Sequence, residues 1–241
     1  MGTFDNQIAV VTGASSGIGR AIALGLATKG AALCLVGRRA HELEEVSALA
    51  QATSSCARIY CVDLSSDQEV ERLKSELERD CRQLDILVHS AGIFRMGSLE
   101  RAPATDLDIQ YCTNVRAPYL LTQALLPMLR PRRGQIVFIN SSVGLVSRIN
   151  VSQYAATKSA LKAIADSLRD EVNADGLRVL SVYPGRTATA QQEDIYKQEG
   201  REYRPELLLQ PADVAAVVLN ALGLERTAEV TDISIRPLRK S

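Results

Sequence analysis

The chain has 241 residues, 46% of them hydrophobic, and its 28 basic and 28 acidic side chains cancel to a formal net charge of zero. A chain of this size buries one large core, and the balanced charge supplies no global field to gather nucleic acid or an anionic membrane surface. Two distant histidines and five cysteines (Cys34, Cys56, Cys61, Cys81, Cys112) without a C-x-x-C pair argue against a catalytic zinc site and a disulfide framework, and suit reduced thiols that fill core or surface.

The opening "MGTFDNQIAVV" carries no basic-then-apolar leader and no apolar run reaches membrane-spanning length, so the expectation is a cytoplasmic protein with no membrane partner. "QIAVV", residues 7–11, has strand length and β-branched residues. "TGASSGIG", residues 12–19, follows, and then "RAIALGLATKG", where Ile18, Ile22 and Leu26 recur at helical spacing and Gly30 closes the helix. In a strand, glycine turn and helix, backbone N–H groups converge on one small volume and the helix dipole favours negative charge there. Gly13, Ser15, Ser16, Gly17, Ile18 and Gly19 are therefore candidates to cradle a pyrophosphate.

Further strand-like runs follow at "AALCLVG", "ARIYCVD", "LDILVHS", "GQIVFIN", "LRVLSVY" and "VTDISIR", separated by helical stretches such as residues 66–81 and 153–174. Continuous apolar runs imply burial on both faces, hence a parallel sheet covered by helices. The expectation is an α/β Rossmann-type doubly wound sheet of about seven strands in a single domain spanning residues 1–241. Ligands in such sheets bind at the carboxyl ends of the strands. The residues there are Gly37 to Arg39, Asp63 with Leu64, Ser90-Ala91-Gly92, Ser141 with Ser142, and Pro184 with Gly185.

After the second strand, a dinucleotide with a free 2′-hydroxyl wants an acidic acceptor, whereas a 2′-phosphate wants a cation. Gly37 occupies the acceptor position and Arg38 follows with a planar guanidinium, which points to NADP. In "SSVGLVSRINVSQYAATK", residues 141–158, Tyr154 and Lys158 are four apart and share a helix face. An ammonium beside a phenol lowers its pKa, and a hydroxyl at the preceding strand end can hydrogen-bond a carbonyl oxygen as that oxygen gains charge.

Thr12-Gly13-x-x-x-Gly17-x-Gly19, Ser90-Ala91-Gly92, Asn114, Ser141, Tyr154-x-x-x-Lys158 and Pro184-Gly185 together resemble the short-chain dehydrogenase/reductase family along essentially the whole chain. The resemblance implies an NADP-dependent enzyme moving hydride between nicotinamide and a carbonyl or secondary alcohol through an Asn-Ser-Tyr-Lys tetrad, here Asn114, Ser141, Tyr154 and Lys158. It gives Asn114 a water on the proton relay, Asp63 the adenine amino group, and Thr187 and Thr189 the nicotinamide amide and phosphates. The family's Asn-Asn-Ala-Gly is replaced here by His89-Ser90-Ala91-Gly92, a departure in that loop's side-chain contacts. Ser141 and Ser142 compete for the serine role; the family's Ser-x-x-Gly pattern selects Ser141 with Gly144.

A 3-oxoacyl thioester reductase is the specific alternative to a general carbonyl reductase, and a non-catalytic NADP-binding regulator is the alternative of another class. The substrate should meet the loop after Gly92, residues 143–151 and the polar residues 186–209, a lid candidate, where Arg95, Arg148 and Arg186 could greet an anion. The family commonly pairs through the helices carrying Asn114 and Tyr154, so a homodimer or homotetramer is expected.

Overall fold

The computed structural model describes residues 2–53 and 56–239. Strands β1 (Ile8–Thr12), β2 (Ala32–Gly37), β3 (Ala57–Cys61), β4 (Ile86–His89), β5 (Gln135–Ile139), β6 (Arg178–Pro184) and β7 (Asp232–Ile235) form one parallel sheet in the order β3-β2-β1-β4-β5-β6-β7. Each begins and ends within two residues of an apolar run in the sequence. The central strands β1, β2, β4 and β5 are buried along nearly their whole length, whereas the edge strands β3 and β7 expose part of theirs. Burial from both faces is what a continuous apolar run requires.

The two faces carry separate cores. On one, helices α1 (Gly17–Thr28), α2 (Ala40–Gln51) and α8 (Pro211–Leu222) bury Ile22, Leu26, Leu43, Val46, Val214 and Val218. On the other, α3 (Asp67–Asp80), α5 (Ala117–Leu129) and α6 (Ser152–Val172) bury Leu73, Leu77, Leu121, Leu125, Leu161 and Leu168. Each such side chain contributes about 1.5–3 kcal/mol relative to exposure.

Strand order reverses between β1 and β4, which opens a crevice at their carboxyl ends. Thr12 ties that point together: its hydroxyl donates to the Val88 carbonyl at 3.3 Å and accepts from the N–H groups of Ser90 and Ala91 at 3.0 and 3.1 Å. The short helix α4 (Ala104–Tyr111) runs into α5 through one π-helical turn, Cys112–Arg116. The polar stretch 186–209, whose conformation the sequence pattern leaves open, contains a helix, α7 (Ala190–Gln198), and a 3₁₀ turn at Pro205–Leu207. The Thr189 hydroxyl caps α7 by accepting from the Gln192 N–H at 3.2 Å, and α7 buries Ile195 and Tyr196.

Candidate active site

The glycine turn joins β1 to α1. Gly13 adopts φ +65°, and a Cβ there would stand 2.8 Å from the Ala91 nitrogen, so only glycine lets β1 turn while the β4 loop lies against it. Ser15, Ser16 and Gly17 follow; Ile18 packs on the core and Gly19 is buried. Ser16 is the N-cap of α1 but makes no side-chain cap bond, and no acidic residue stands in the first turn. That leaves the helix N-terminus suited to an anion. Thr189 lies opposite, its methyl carbon 3.1 Å from where a Gly17 Cβ would be.

Gly37 ends β2 and Arg38 projects, exposed, beyond it. Arg39 is engaged locally, donating to the Ser15 hydroxyl at 3.0 Å and pairing with Glu42 at 3.0 Å. Asp63 is held below the usual carboxylate range, chiefly by the Ser65 N–H at 3.0 Å and also by the Ser65 hydroxyl and the Arg38 charge. Leu64 beside it is buried in the α3 core. An exposed guanidinium following β2 with no acid at the Gly37 position, together with the uncapped N-terminus of α1, fits a dinucleotide bearing a 2′-phosphate.

The tetrad residues gather at the end of β5. Ser141 follows that strand and its hydroxyl lies against the Tyr154 phenol, whereas Ser142 starts the 3₁₀ turn Ser142–Gly144. Gly144 explains the spacing: a Cβ there would come 2.9 Å from the Asn140 Oδ1 and 3.1 Å from Lys158. Lys158, one turn after Tyr154 on α6, is buried; its Nζ donates to the Ile139 carbonyl at 3.0 Å and lies 5.7 Å from the Tyr154 ring centroid. Asn114 sits fully buried in the π-helical turn. Its Nδ2 donates to the Ile93 carbonyl at 2.9 Å and to the Thr157 hydroxyl at 3.2 Å, and its Oδ1 accepts from the Ile93 N–H at 2.8 Å. Gly92 completes the cluster, its α-carbon facing both the Asn114 Oδ1 and the Lys158 Nζ.

The electrostatics differ from the expectation drawn from Tyr154 and Lys158 alone. Burial pushes the Tyr154 phenol up to about 12, and only the Ser141 hydroxyl pulls against it. Burial also brings Lys158 down to about 8. The ammonium lies over the ring and donates to the Ile139 carbonyl, and desolvation sets the direction of both shifts.

The remaining residues fall into place around this cluster. His89 turns away from the crevice, its Nε2 2.8 Å from the Thr122 hydroxyl and its ring stacked on Phe138; burial lowers its pKa to about 3, so it is neutral. Ser90 and Ala91 contribute backbone N–H groups to Thr12. Pro184 ends β6, the Gly185 N–H donates to the Ile235 carbonyl at 2.8 Å, and Thr187 is buried with its hydroxyl on the Gly185 carbonyl at 3.0 Å.

Arg186 is not free for an anionic substrate: it forks onto Glu199 at 2.8 and 2.7 Å and lies over the Tyr196 ring, which pins the C-terminal end of α7 to the end of β6. Arg95 reaches Asp106 at 4.0 Å, and Arg148 is exposed. The approach to Tyr154 is apolar instead. Phe94 packs edge-on against the Tyr154 ring at 4.9 Å, and Leu145, Val146 and Ile149 expose their side chains on the loop between β5 and α6.

Sequence reasoning missed several residues that position the cluster. Asn140 bridges it, with Nδ2 donating to the Lys158 carbonyl at 3.1 Å and Oδ1 accepting from the Ser141 N–H at 2.9 Å. A polar residue ending an otherwise apolar strand run was the available signal. Thr157 links Asn114 to the Tyr154 carbonyl, to which its hydroxyl donates at 2.8 Å, and nothing local distinguishes it from a helix-surface threonine.

The short chain dehydrogenase family pattern matches residues 7–200. An uncharacterised oxidoreductase of Staphylococcus epidermidis is 30% identical over 239 residues, covering 99% of this chain and 100% of its own. Among solved structures, an alcohol dehydrogenase of Thermococcus sibiricus complexed with 5-hydroxy-NADP superimposes with a TM-score of 0.88 at 26% identity, covering 98% of each chain. A short chain dehydrogenase of Shigella flexneri 2a complexed with NADP also gives 0.88, at 30% identity, covering 96% of this chain and 98% of its own. With its family pattern matched over most of its length and its fold shared with these enzymes, the chain belongs to the short-chain dehydrogenase/reductase family of oxidoreductases.

Proposed function

We propose that this single-domain chain is an NADP-dependent oxidoreductase acting on a carbonyl or secondary alcohol, with Asn114, Ser141, Tyr154 and Lys158 as its working residues. The observation that carries the reading is the meeting of the Ser141 hydroxyl, the Tyr154 phenol and the buried Lys158 at one strand end. Exposed Arg38 and the uncapped N-terminus of α1 support NADP(H), as do the NADP-type ligands bound to the two solved relatives. When bound, NADPH supplies the hydride.

The chain's own residues handle the oxygen. The Ser141 hydroxyl donates a hydrogen bond to the substrate oxygen, and Tyr154 delivers the proton to it as charge builds. A phenol pushed up to about 12 holds its proton throughout neutral pH, which favours the reductive direction. Lys158, positive below about 8, steadies the phenolate left behind and would hold the nicotinamide ribose. Asn114, anchored through Ile93 and Thr157, keeps the π-helical turn in register beside Lys158 and leads the proton relay toward solvent through a water.

The apolar rim of Phe94, Leu145, Val146 and Ile149 favours uncharged ketones, aldehydes and diketones over acyl thioesters with an anionic carrier. A panel of those classes, followed at the nicotinamide absorbance with NADPH, tests this. Turnover of simple carbonyls is expected to exceed that of 3-oxoacyl thioesters. The reverse order overturns the substrate reading, and binding of NADPH without turnover across the panel overturns the enzyme reading.

The working state proposed is a homodimer or homotetramer in the cytoplasm. Exposed Leu107, Ile109 and Tyr111 on α4 and Tyr119 on α5, the helices on either side of Asn114, support self-association. Light scattering at micromolar concentration should report a mass of two or four chains, and a monomer would refute it. Thiols without C-x-x-C spacing support a reducing compartment. Among the described residues no helix is long and apolar enough to cross a membrane.

A further inference from the structure

Cys34 on β2 and Cys81, immediately after α3, are 47 residues apart in sequence, yet their sulfurs lie 3.7 Å from each other in the core behind the sheet. Such proximity is invisible to any local cysteine spacing. The polar side chains of Arg58, Tyr60 and Asp80 border the pair. Arg58, exposed on β3, places its Nη1 3.9 Å from the Cys81 sulfur while donating to the Asp80 carbonyl at 3.0 Å. The Tyr60 hydroxyl donates to the Asp80 carboxylate at 3.0 Å and sits 4.0 Å from the Cys34 sulfur. Cys81 thus lies one side chain beneath solvent, under a guanidinium, with a second thiol behind it.

The geometry points to Cys34 and Cys81 as a peroxide-oxidisable dithiol, a modification site separate from the Tyr154 centre, with Cys81 the attacking sulfur and Cys34 the resolving one. The division of labour follows from the surroundings. A hydrogen bond from Cys34 and the Arg58 charge bring the Cys81 thiol down, against burial and the Asp80 carboxylate. The same contact with Cys81, together with burial, pushes the Cys34 thiol up and keeps it protonated. Burial likewise keeps the Tyr60 phenol protonated, so it faces the pair without charge.

The Cys81 thiolate attacks one oxygen of hydrogen peroxide, the O–O bond breaks, and hydroxide leaves to take a proton from solvent. Cys81 becomes a sulfenic acid. The Cys34 sulfur then attacks the Cys81 sulfur, and the sulfenic oxygen departs with the Cys34 proton as a second water. Two thiols have given two electrons to one peroxide. Closing the bond brings the sulfurs from 3.7 Å to about 2.05 Å, the scale of side-chain rotation.

The test is peroxide treatment of the full chain, followed by non-reducing peptide mapping and sulfenic-acid trapping with dimedone. Wild type should yield a Cys34–Cys81 linkage that dithiothreitol reverses, with an oxidation rate that rises with pH through a midpoint below that of an ordinary thiol. Cys34→Ala should accumulate trappable sulfenic acid at Cys81, and Cys81→Ala should leave Cys34 reduced. Arg58→Gln, a surface change that does not depend on repacking the core, should slow oxidation at pH 7 by roughly threefold or more and move the midpoint upward. The proposal is overturned if Cys34 and Cys81 stay reduced while exposed Cys61 oxidises, if Cys81 links to another cysteine, or if Arg58→Gln leaves the rate unchanged.

Discussion

Tyr154→Phe is expected to lower NADPH oxidation with any accepted carbonyl by about two to four orders of magnitude, the range associated with a lost general acid. Cofactor affinity should stay nearly intact. The substitution removes one oxygen and keeps the ring that Phe94 packs against and Lys158 overlies, so the loop after β4 and the start of α6 have no reason to move. The pair of measurements is kcat/KM with one ketone and a fluorescence titration of NADPH. Retained turnover would remove Tyr154 from the chemistry, and a matching loss of NADPH binding would make its role structural.

The same enzyme should show a pH dependence with a definite sign. Because burial raises the phenol, Tyr154 remains a proton donor across neutral pH and does not limit reduction there. Lys158, lowered to about 8, loses its charge first as pH rises, and with it the stabilisation of the phenolate. Reductive kcat/KM should therefore be level below about pH 8 and fall above it. A profile that rises through that range would contradict the roles assigned to these two groups.

Much of this arrangement is written in local patterns, and the parts that are not share a physical reason. Strand ends, the glycine turn and the Tyr154-x-x-x-Lys158 pair are short-range features, because strand burial and helix periodicity act over a few residues. Asn140 and Thr157, by contrast, acquire their roles only through partners on other elements, and their residue types are compatible with many environments. The contact between Cys34 and Cys81 depends on the path of β2, β3 and α3 together. The charge environment departs from the sequence expectation for a related reason: helix spacing places Lys158 beside Tyr154 but says nothing of burial, and burial sets the direction of both shifts. Arg186 looked available for a substrate because Glu199 and Tyr196 approach it only once α7 folds back along the end of β6.

Cofactor preference rests on a smaller set of atoms and should respond cleanly to substitution. Wild type is expected to favour NADPH over NADH, and Arg38→Ala to reduce that preference by roughly ten- to a hundredfold, the range for charge-assisted hydrogen bonds to a phosphate. Arg39 does not replace it readily, since its guanidinium already holds the Ser15 hydroxyl and Glu42. Adding Gly37→Asp should carry the preference over to NADH, because a carboxylate at the end of β2 accepts from a 2′-hydroxyl and repels a 2′-phosphate. The site tolerates the change: a Cβ on Gly37 would come no closer than 3.4 Å to the Leu43 side chain, an ordinary contact. Asp63 follows β3 rather than β2 and already accepts two hydrogen bonds from Ser65 at its Oδ1, so it does not stand at the acceptor position that Gly37 leaves empty. The ratio of kcat/KM for NADPH and NADH, measured with one carbonyl substrate on wild type, Arg38→Ala and the Gly37→Asp, Arg38→Ala double variant, decides the matter. If wild type favours NADH, or if removing Arg38 leaves the ratio where it was, Arg38 is a solvated charge at the start of α2 and the 2′-phosphate is held elsewhere or not at all.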